Sequence, residues 1–303
     1  MKFIVTGGAG FIGSHLTKTL IKKGHNVTVI DSLRRGSLEN LKEIENKINF
    51  QKIDLLEYDE MKKVAKNIDG IFHQAALGSV PQSFKEPEEY HRVNAVGTEN
   101  ILKLAKEFDF KVVYASSSSV YGNQNKFPIK EGAEKKPLNP YGQSKLEAEL
   151  FAVKYSKLGV KVIGLRYFNV FGIGQNPNYA GVIPNFIARL RQHKPPIIYG
   201  DGNQLRNFTF VDDVVEANVL ALESKIEHAF INIATGKMTS VKELAEIMIG
   251  LAGLSIKPIY DNPRKGDIEK SQADISLAKN LINWEPKTSL EDGLKKIFPK
   301  IEK

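Results

Sequence analysis

The chain of 303 residues contains no cysteine and no long apolar run. The absence of cysteine excludes disulfide bonds, thiolate nucleophiles and cysteine-ligated metals, which leaves side-chain oxygens, lysine and six histidines for chemistry. No apolar run approaches the roughly 20 residues that a membrane-spanning helix needs. The first strand-like stretch, MKFIVTGG, is too short for the apolar region of a secretory signal and continues into a glycine motif. We therefore expect a cytoplasmic protein with no metal site and no membrane partner.

The strongest compositional bias is a formal net charge of +8 at neutral pH. The lysines of the chain are interleaved with acidic residues, as in LKEIENK and KEGAEKK. Such mixing is typical of a solvated surface, so we expect no nucleic-acid partner; attraction of an anionic small ligand or of RNA is the alternative. With 42% hydrophobic and 26% charged residues, the composition is that of a folded globular protein.

Short β-branched runs alternate with helical stretches through the first 165 residues. The strand candidates are KFIVTG, NVTVID, INFQKID, GIFHQAA, KVVYASS and KVIGLRYF. Because helical stretches separate them, the pattern predicts βαβ units and an α/β fold with a doubly wound parallel sheet. After Phe168 the pattern becomes irregular. We predict one domain over residues 1–167, to which 208–235 return, and a smaller, discontinuous α/β domain over 168–303.

The stretch FIVTGGAGFIGSHL places Gly7, Gly10 and Gly13 directly after the first predicted strand and at the start of a helix. Glycines at these positions permit a tight turn, close approach of a pyrophosphate and packing of the helix on the strand. Asp31 follows the second strand, where an acid would hold the adenosine ribose hydroxyls. Together they predict a Rossmann-type dinucleotide site.

The acid also bears on the choice between NAD and NADP. Asp31 would repel a 2′-phosphate, which favours NAD. Arg34 and Arg35 point the other way, since a guanidinium can bind such a phosphate. Because Asp31 lies nearer the end of the strand, we predict NAD.

Tyr141 and Lys145 in PYGQSK are four residues apart, so on a helix their side chains share one face. An ammonium beside a phenol, with an oxidised nicotinamide near it, favours the phenolate and lowers the tyrosine pKa. Such a pair can remove a proton from an alcohol. The spacing is common by chance, however, and a tyrosine packed on a lysine stem is an equal reading of these two residues alone.

The motifs TGGAGFIGSH, DLLE, HQAA, VNAVGTENIL, SSSSVYG, PYGQSK, LRYFNVFG, NFTFVDDV and RKGD occur in this order over essentially the whole chain. In combination they resemble the extended short-chain dehydrogenase/reductase family, and within it the nucleotide-sugar 4-epimerases. The resemblance implies NAD as the cofactor and Ser117, Tyr141 and Lys145 as catalytic residues. It implies cofactor contacts from Gly7, Gly10, Phe11, Ile12, Gly13, Asp31, Asp54, Leu55, Gln74, Ala75, Ala76, Asn94, Tyr141, Lys145 and Tyr167. It implies substrate contacts from Ser79, Val80, Ser117, Asn169, Gln175, Val182, Tyr199, Arg206, Arg264, Asp267 and Ser271.

The residues after Ser117 distinguish the reactions of this family. Dehydratases and decarboxylases that resemble this chain carry an acid among the next two positions, which here are Ser118 and Ser119. The missing carboxyl favours oxidation of the sugar at C4 followed by reduction from the other face. A UDP-sugar 4-epimerase is therefore the leading hypothesis.

Ser271 bears on the choice of sugar, because the resemblance places a bulky tyrosine at this position in epimerases restricted to plain hexoses. A serine favours UDP-GlcNAc/UDP-GalNAc slightly over UDP-Glc/UDP-Gal. A UDP-glucuronate 4-epimerase is the rival, although Asn169 stands where similar uronate enzymes have threonine.

A non-catalytic NAD- or RNA-binding protein on the same fold is the alternative of another class. The basic charge favours it, and the complete set of Ser117, Tyr141 and Lys145 argues against it. The resemblance also implies a homodimer formed through YHRVNAVGTENILKLAKEF and PYGQSKLEAELFAVKYSKL. Apolar residues in these helices could equally face only the sheet.

Overall fold

The computed structural model describes residues 1–176, 181–263 and 268–298. Its strands are β1 Lys2–Thr6, β2 Asn26–Ile30, β3 Ile48–Gln51, β4 Gly70–His73, β5 Lys111–Ser117, β6 Val162–Tyr167, β7 Asn169–Phe171, β8 Ile197–Tyr199, β9 Leu205–Arg206, β10 Phe208–Phe210, β11 His228–Ile233, β12 Thr239–Ser240 and β13 Ile259–Asp261. Seven of them form one sheet in the order β11-β6-β5-β4-β1-β2-β3. All neighbours in this sheet are parallel, with β1 between β4 and β2.

The helices connect these strands and cover both faces of the sheet. They are α1 Phe11–Lys22, α2 Tyr58–Val64, α3 Val80–Ser83, α4 Pro87–Tyr90, α5 Gly97–Phe108, α6 Pro140–Ser156, α7 Val182–Leu190, α8 Val211–Glu223, α9 Val241–Ala252, α10 Ser276–Ile282 and α11 Leu290–Ile297. Leu38–Lys47 and Ser118–Val120 are 3₁₀-helical, and His91–Val96 is π-helical. None of the described helices is long and apolar enough to cross a membrane.

Alternate side chains of β1, an interior strand of the sheet, enter different cores, as the period of two in a strand requires. Phe3 and Val5 of β1 join one core with residues of α1 and α8. Ile4 points to the other face and joins a core with residues of α5 and α6. The parallel, doubly wound sheet predicted from the sequence is confirmed, and each of the six strand candidates in the first 165 residues contains an observed strand.

The described residues of the irregular C-terminal part form three small sheets whose pairing the sequence did not reveal, although the run IKPIYD, predicted as a strand, contains β13. β7 pairs with β10 and β8 with β13 in parallel, and β9 pairs with β12 in antiparallel fashion. Strands of two or three residues are too short to show a periodic pattern. A third apolar core, which includes Phe171, Phe186 and Leu244, lies among these elements.

The described contacts cross the predicted division of the chain at residues 167 and 168. Strand β11 pairs with β6 at the edge of the large sheet. Ala278 of α10 and the following Trp284 also belong to the core of the large sheet, so residues beyond 235 reach it as well. The division into two domains stays a prediction.

His73 at the end of β4 is buried between two threonine hydroxyls. Its Nδ1 lies 2.7 Å from Thr6 Oγ1 and its Nε2 lies 3.0 Å from Thr98 Oγ1. Burial, with a smaller effect of the charge on Lys145, lowers the pKa of His73 from 6.5 to about 3. Below pH 6.5 the unfolded chain therefore binds a proton that the folded chain does not accept until about pH 3.

The contribution of His73 to stability is thus complete above pH 6.5 and is lost as the pH falls toward 3. In urea unfolding at a series of acidic pH values, His73→Gln should lose stability less steeply than the wild type, by up to about 1.4 kcal/mol per pH unit. His193→Gln, at an exposed histidine, controls for the substitution itself. Parallel curves for His73→Gln and the wild type would contradict the assignment.

Candidate active site

The carboxyl ends of the parallel strands open into one large cavity. The loops that follow β1, β2 and β4 and the ends of β5 and β6 meet there, at the edge of the sheet where α/β proteins bind ligands. The cavity has a volume of about 1450 Å³ and extends to the small sheets of the C-terminal part. Of the described residues predicted to bind cofactor or substrate, all except Asn94 line it.

The turn between β1 and α1 is shaped for a pyrophosphate. Gly7 has φ of +66°, and a Cβ there would lie 2.6 Å from the backbone of Ala75. A Cβ on Gly13 would lie 2.1 Å from the carbonyl oxygen of Gly7, so neither position accepts a side chain. No side chain caps the N-terminus of α1 at Gly10, which leaves its N–H groups and its positive dipole end to an anion. The residues present therefore fit a dinucleotide.

Asp31 lies where the adenosine ribose of such a dinucleotide would be bound. Its Oδ2 accepts a hydrogen bond from Ala9 N at 3.0 Å and its Oδ1 accepts one from Leu33 N at 2.8 Å. Burial raises the pKa of Asp31, and the two backbone hydrogen bonds oppose that effect. The side chain is thus oriented by the chain itself at the wall of the cavity.

Ser117, Tyr141 and Lys145 meet at the centre of the cavity because β5 ends where α6 begins. Asn139 caps α6, accepting a hydrogen bond from Gly142 N at 2.8 Å, and so fixes Tyr141 in the first turn. The Ser117 side chain lies close enough to the Tyr141 hydroxyl to lower the Tyr141 pKa by hydrogen bonding. Lys145 Nζ, one turn further along, donates to Ala115 O at 2.8 Å. A hydroxyl, a phenol and an ammonium can therefore act on one bound alcohol.

Burial dominates the ionisation of Tyr141 and Lys145. It raises the pKa of Tyr141, whereas the hydrogen bond with Ser117 lowers that pKa. It also lowers the pKa of Lys145 from 10.5 to about 8. Besides burial, the groups that shift the Tyr141 pKa are Ser117, which lowers it, and Tyr90, which raises it. The predicted lowering of the Tyr141 pKa concerns the complex with the oxidised cofactor and stays a prediction.

The described part of the cavity wall contains few carboxylates near Ser117, Tyr141 and Lys145. Among the described residues that line the cavity, the acids are Asp31 and Asp54, both in loops assigned to the cofactor. The residues after Ser117 that face the cavity are Ser118 and Ser119. In the described part of the site, no carboxylate other than those of Asp31 and Asp54 could donate a proton to the sugar or remove one from it.

The far end of the cavity is lined by residues predicted to bind substrate. Arg206 is 8% exposed, and its Nη1 donates to Leu205 O at 3.1 Å. Ser271 is 5% exposed and its backbone N–H donates to Leu205 O, so that it is a wall residue and not an exposed loop serine. Tyr199 ends β8 beside them. Arg264 and Asp267 lie outside the described residues.

The side-chain amides of Asn94, Gln204 and Gln175 lie in or behind the cavity wall. Asn94 is buried behind the loop that follows β4, where its side chain bonds to Leu77 N, Leu77 O and Ser144 Oγ at 2.7 to 3.0 Å. Its predicted contact with the cofactor stays a prediction. The sequence did not predict Gln204 as a site residue. Its Nε2 donates to Tyr199 O at 2.7 Å, and its buried Oε1 at the cavity wall has no hydrogen-bond partner. Gln175 Oε1 is a second such acceptor.

Arg166 and Glu149 form a buried ion pair that the sequence analysis did not predict. Both nitrogens Nε and Nη2 of Arg166 in β6 donate to the carboxylate of Glu149 in α6 at 2.8 Å. Ser116 Oγ donates to the same carboxylate at 2.6 Å, and Arg166 Nη1 donates to Tyr121 OH at 2.8 Å. The pair thus joins α6, which carries Tyr141, to the two strands that end at the site.

A dinucleotide cradle together with a serine, tyrosine and lysine at the carboxyl edge of a doubly wound sheet defines a nicotinamide-dependent enzyme that acts on an alcohol. No cluster of three or more histidine, aspartate or glutamate side chains suited to a metal ion occurs among the described residues. The family model described as "NAD dependent epimerase/dehydratase family" matches residues 3–234. The chain belongs to this family, and its cofactor is NAD.

Individual relatives match nearly the whole chain. A putative UDP-glucose 4-epimerase of Methanocaldococcus jannaschii is 40% identical over 97% of this chain and 96% of its own. A crystal structure of the Thermotoga maritima UDP-glucose 4-epimerase with UDP-glucose has a TM-score of 0.94 at 36% identity, and the match covers 98% and 97% of the two chains. The UDP-N-acetylglucosamine 4-epimerase of Methanobrevibacter ruminantium, in complex with UDP-N-acetylmuramic acid, has a TM-score of 0.92 at 38% identity over 97% of each chain. Other matching proteins bear the names UDP-glucuronate 4-epimerase and UDP-glucuronic acid decarboxylase 1.

Proposed function

We propose that the protein is a UDP-sugar 4-epimerase that oxidises and re-reduces C4 of its substrate. The observation that carries this proposal is the central group of Ser117, Tyr141 and Lys145, beside which the described part of the cavity wall places no carboxylate. NAD, when bound, supplies the hydride acceptor and the hydride donor of this chemistry. The names of three proteins that match nearly the whole chain support the same reaction.

Each of the three residues has a distinct part in the reaction. Tyr141, as a phenolate, removes the proton from the sugar 4-hydroxyl and later returns a proton to the 4-keto oxygen. Ser117 hydrogen-bonds to the same sugar oxygen, because its side chain lies close to the Tyr141 hydroxyl that acts on that oxygen. Lys145, fixed by the carbonyl oxygen of Ala115, lies one turn from Tyr141, and in the complex with oxidised NAD its positive charge and that of the nicotinamide would favour the phenolate.

The distribution of acids argues against the other reactions of the family. Elimination of water from the sugar needs an additional acid or base at the ring. In the described part of the cavity wall, the two acids belong to the loops assigned to the cofactor, and Ser118 and Ser119 occupy the positions next to Ser117. Hydride return to C4 needs no further proton carrier beyond Tyr141, so epimerisation fits these residues best.

The preferred sugar is proposed to carry a 2-N-acetyl group. Ser271 at the cavity wall supports this, because a small side chain there leaves volume beside the sugar ring. UDP-Glc/UDP-Gal is the second candidate and UDP-glucuronate the third. The experiment is incubation of the purified protein with UDP-GlcNAc, UDP-Glc and UDP-glucuronate, with products separated by chromatography. Turnover of UDP-glucuronate alone would overturn the substrate assignment.

Replacement of Ser271 by tyrosine tests whether this wall selects the substrate. Because the phenol would fill volume beside C2, Ser271→Tyr should lower kcat/KM for UDP-GlcNAc roughly 100-fold more than for UDP-Glc. Ser255→Tyr, at an exposed serine in the loop after α9, is the matched control and should leave both values unchanged. An equal loss on both substrates in Ser271→Tyr would remove Ser271 from the account of specificity.

A homodimer is proposed on the helices α5 and α6. These helices bury most of their apolar residues against the sheet, but Leu150 of α6 is 61% exposed. An exposed leucine beside the partly buried Phe151 supports a contact with a second copy.

A further inference from the structure

Two arginines leave β2 in the same loop as Asp31 and line the end of the cavity that would hold the adenosine ribose. Arg34 and Arg35 lie three and four residues beyond Asp31. An arginine in this loop is the residue that accommodates the 2′-phosphate of NADP in dinucleotide-binding folds. Position alone would therefore allow this chain to bind NADP.

Both arginines are instead bonded to acceptors on the segment from Ser79 to Tyr90. Arg34 Nη1 forms an ion pair with Glu89 Oε1. Arg35 Nη2 donates to Gln82 Oε1 at 2.6 Å and to Tyr90 OH at 3.4 Å. These acceptors lie 47 to 55 residues away in the chain, so tertiary structure and not the local loop directs the guanidinium groups.

Glu89 is the central acceptor of this arrangement. Its Oε2 also accepts a hydrogen bond from Arg92 Nη1 at 2.9 Å, so that one carboxylate bridges two guanidinium groups. The hydrogen bond from Arg34 is the largest influence that holds the pKa of Glu89 below its usual range. A carboxylate in this position neutralises Arg34 and would itself repel an incoming phosphate.

We propose that Glu89 enforces the preference for NAD by holding Arg34 away from a 2′-phosphate, as a second barrier that acts together with Asp31. Asp31 excludes the phosphate by its own charge, and Glu89 removes the cation that would compensate that charge. Loss of Asp31 alone therefore leaves Arg34 paired with Glu89, and loss of Glu89 alone leaves the Asp31 carboxylate. NADP is admitted only when both acids are removed. The inference concerns the choice of cofactor and not the sugar chemistry.

The test measures binding of NADP⁺ and NAD⁺ to protein stripped of nucleotide, by isothermal titration calorimetry. In an Asp31→Asn background, adding Glu89→Ala should tighten NADP⁺ binding at least about tenfold, the value of one charge-assisted hydrogen bond to phosphate. The affinity for NAD⁺ should be the same with and without Glu89→Ala, because NAD has no 2′-phosphate. Since the readout is binding, the result does not depend on whether the protein epimerises a UDP-sugar.

Glu88→Ala in the same background is the matched control. Glu88 is an exposed acid on the same helix, α4, and its removal changes the net charge equally. A gain for NADP⁺ of the same size in the Glu88 variant would overturn the proposal, since it would reflect overall charge. Addition of Arg34→Ala should abolish the gain, and a gain that persists without Arg34 would also contradict it.

A substitution that keeps the size of the side chain protects the test against loss of folding. Tyr90 is unsuitable for substitution, because its hydroxyl donates to Ser79 O at 2.7 Å and its ring packs edge-to-face on Tyr141. Glu89→Gln removes the charge but keeps the packing, and a smaller gain in NADP⁺ affinity is expected from it. No gain from either Glu89 variant in folded protein would exclude this role.

Discussion

Replacement of Tyr141 by phenylalanine is expected to lower turnover of UDP-GlcNAc by roughly 10³-fold while the protein stays folded and keeps its NAD. The phenylalanine ring retains the packing against Tyr90 but has no oxygen to exchange a proton with the sugar hydroxyl. A loss of this size corresponds to about 4 kcal/mol of transition-state stabilisation. Turnover is measured by chromatography of the UDP-sugars, and bound nucleotide by its release on denaturation.

Tyr155→Phe is the matched control for this substitution. Tyr155 is on the same helix, α6, but does not line the cavity, and its hydroxyl lies 3.4 Å from Glu99 Oε1. Its replacement should leave turnover within a few fold of the wild type. Undiminished turnover in Tyr141→Phe would exclude Tyr141 as the proton carrier, and loss of NAD in that variant would show that the residue holds the cofactor instead.

The second large effect is expected at the buried pair of Glu149 and Arg166. Their side chains are 4% and 2% exposed, so that removal of one partner leaves the other charge buried without compensation. Glu149→Leu or Arg166→Met should each lower the free energy of unfolding by about 3–5 kcal/mol. Urea unfolding at neutral pH measures this loss.

The double variant Glu149→Leu/Arg166→Met distinguishes an ion pair from two separate packing contributions. Because the double variant leaves neither charge behind, its loss should be clearly smaller than the sum of the two single losses. An exposed pair, Lys295 and Glu291 in α11, is the control, and its single variants should cost less than about 1 kcal/mol. Additive losses at Glu149 and Arg166 would contradict the account.

Much of the fold followed from local patterns in the sequence. The parallel sheet was predictable because helical stretches separate most of the strand-like runs, and βαβ connections leave few alternatives. The short strands β9 and β12, of two residues each, could not be predicted because pairing of residues far apart in the chain creates them.

Parts of the candidate site could be predicted from short sequence motifs, whereas others depend on contacts between distant segments. The cradle at Gly7 and Gly13 is encoded in one short motif. Arg166 carried a signal that was overlooked, since a charged residue within the apolar strand candidate KVIGLRYF requires a buried partner. The pairing of Arg34 with Glu89 had no such signal, because it depends on how two distant segments meet.

The most direct test of the proposed reaction is incubation of the purified protein with UDP-GlcNAc in deuterated water, without added NAD. Because the hydride taken from C4 returns to C4, the UDP-GalNAc formed should carry no deuterium at C4 in its NMR spectrum. The same result is expected for any UDP-Gal formed from UDP-Glc. Deuterium at C4, loss of water or carbon dioxide from the sugar, or absence of turnover with UDP-GlcNAc, UDP-Glc and UDP-glucuronate would contradict a 4-epimerase.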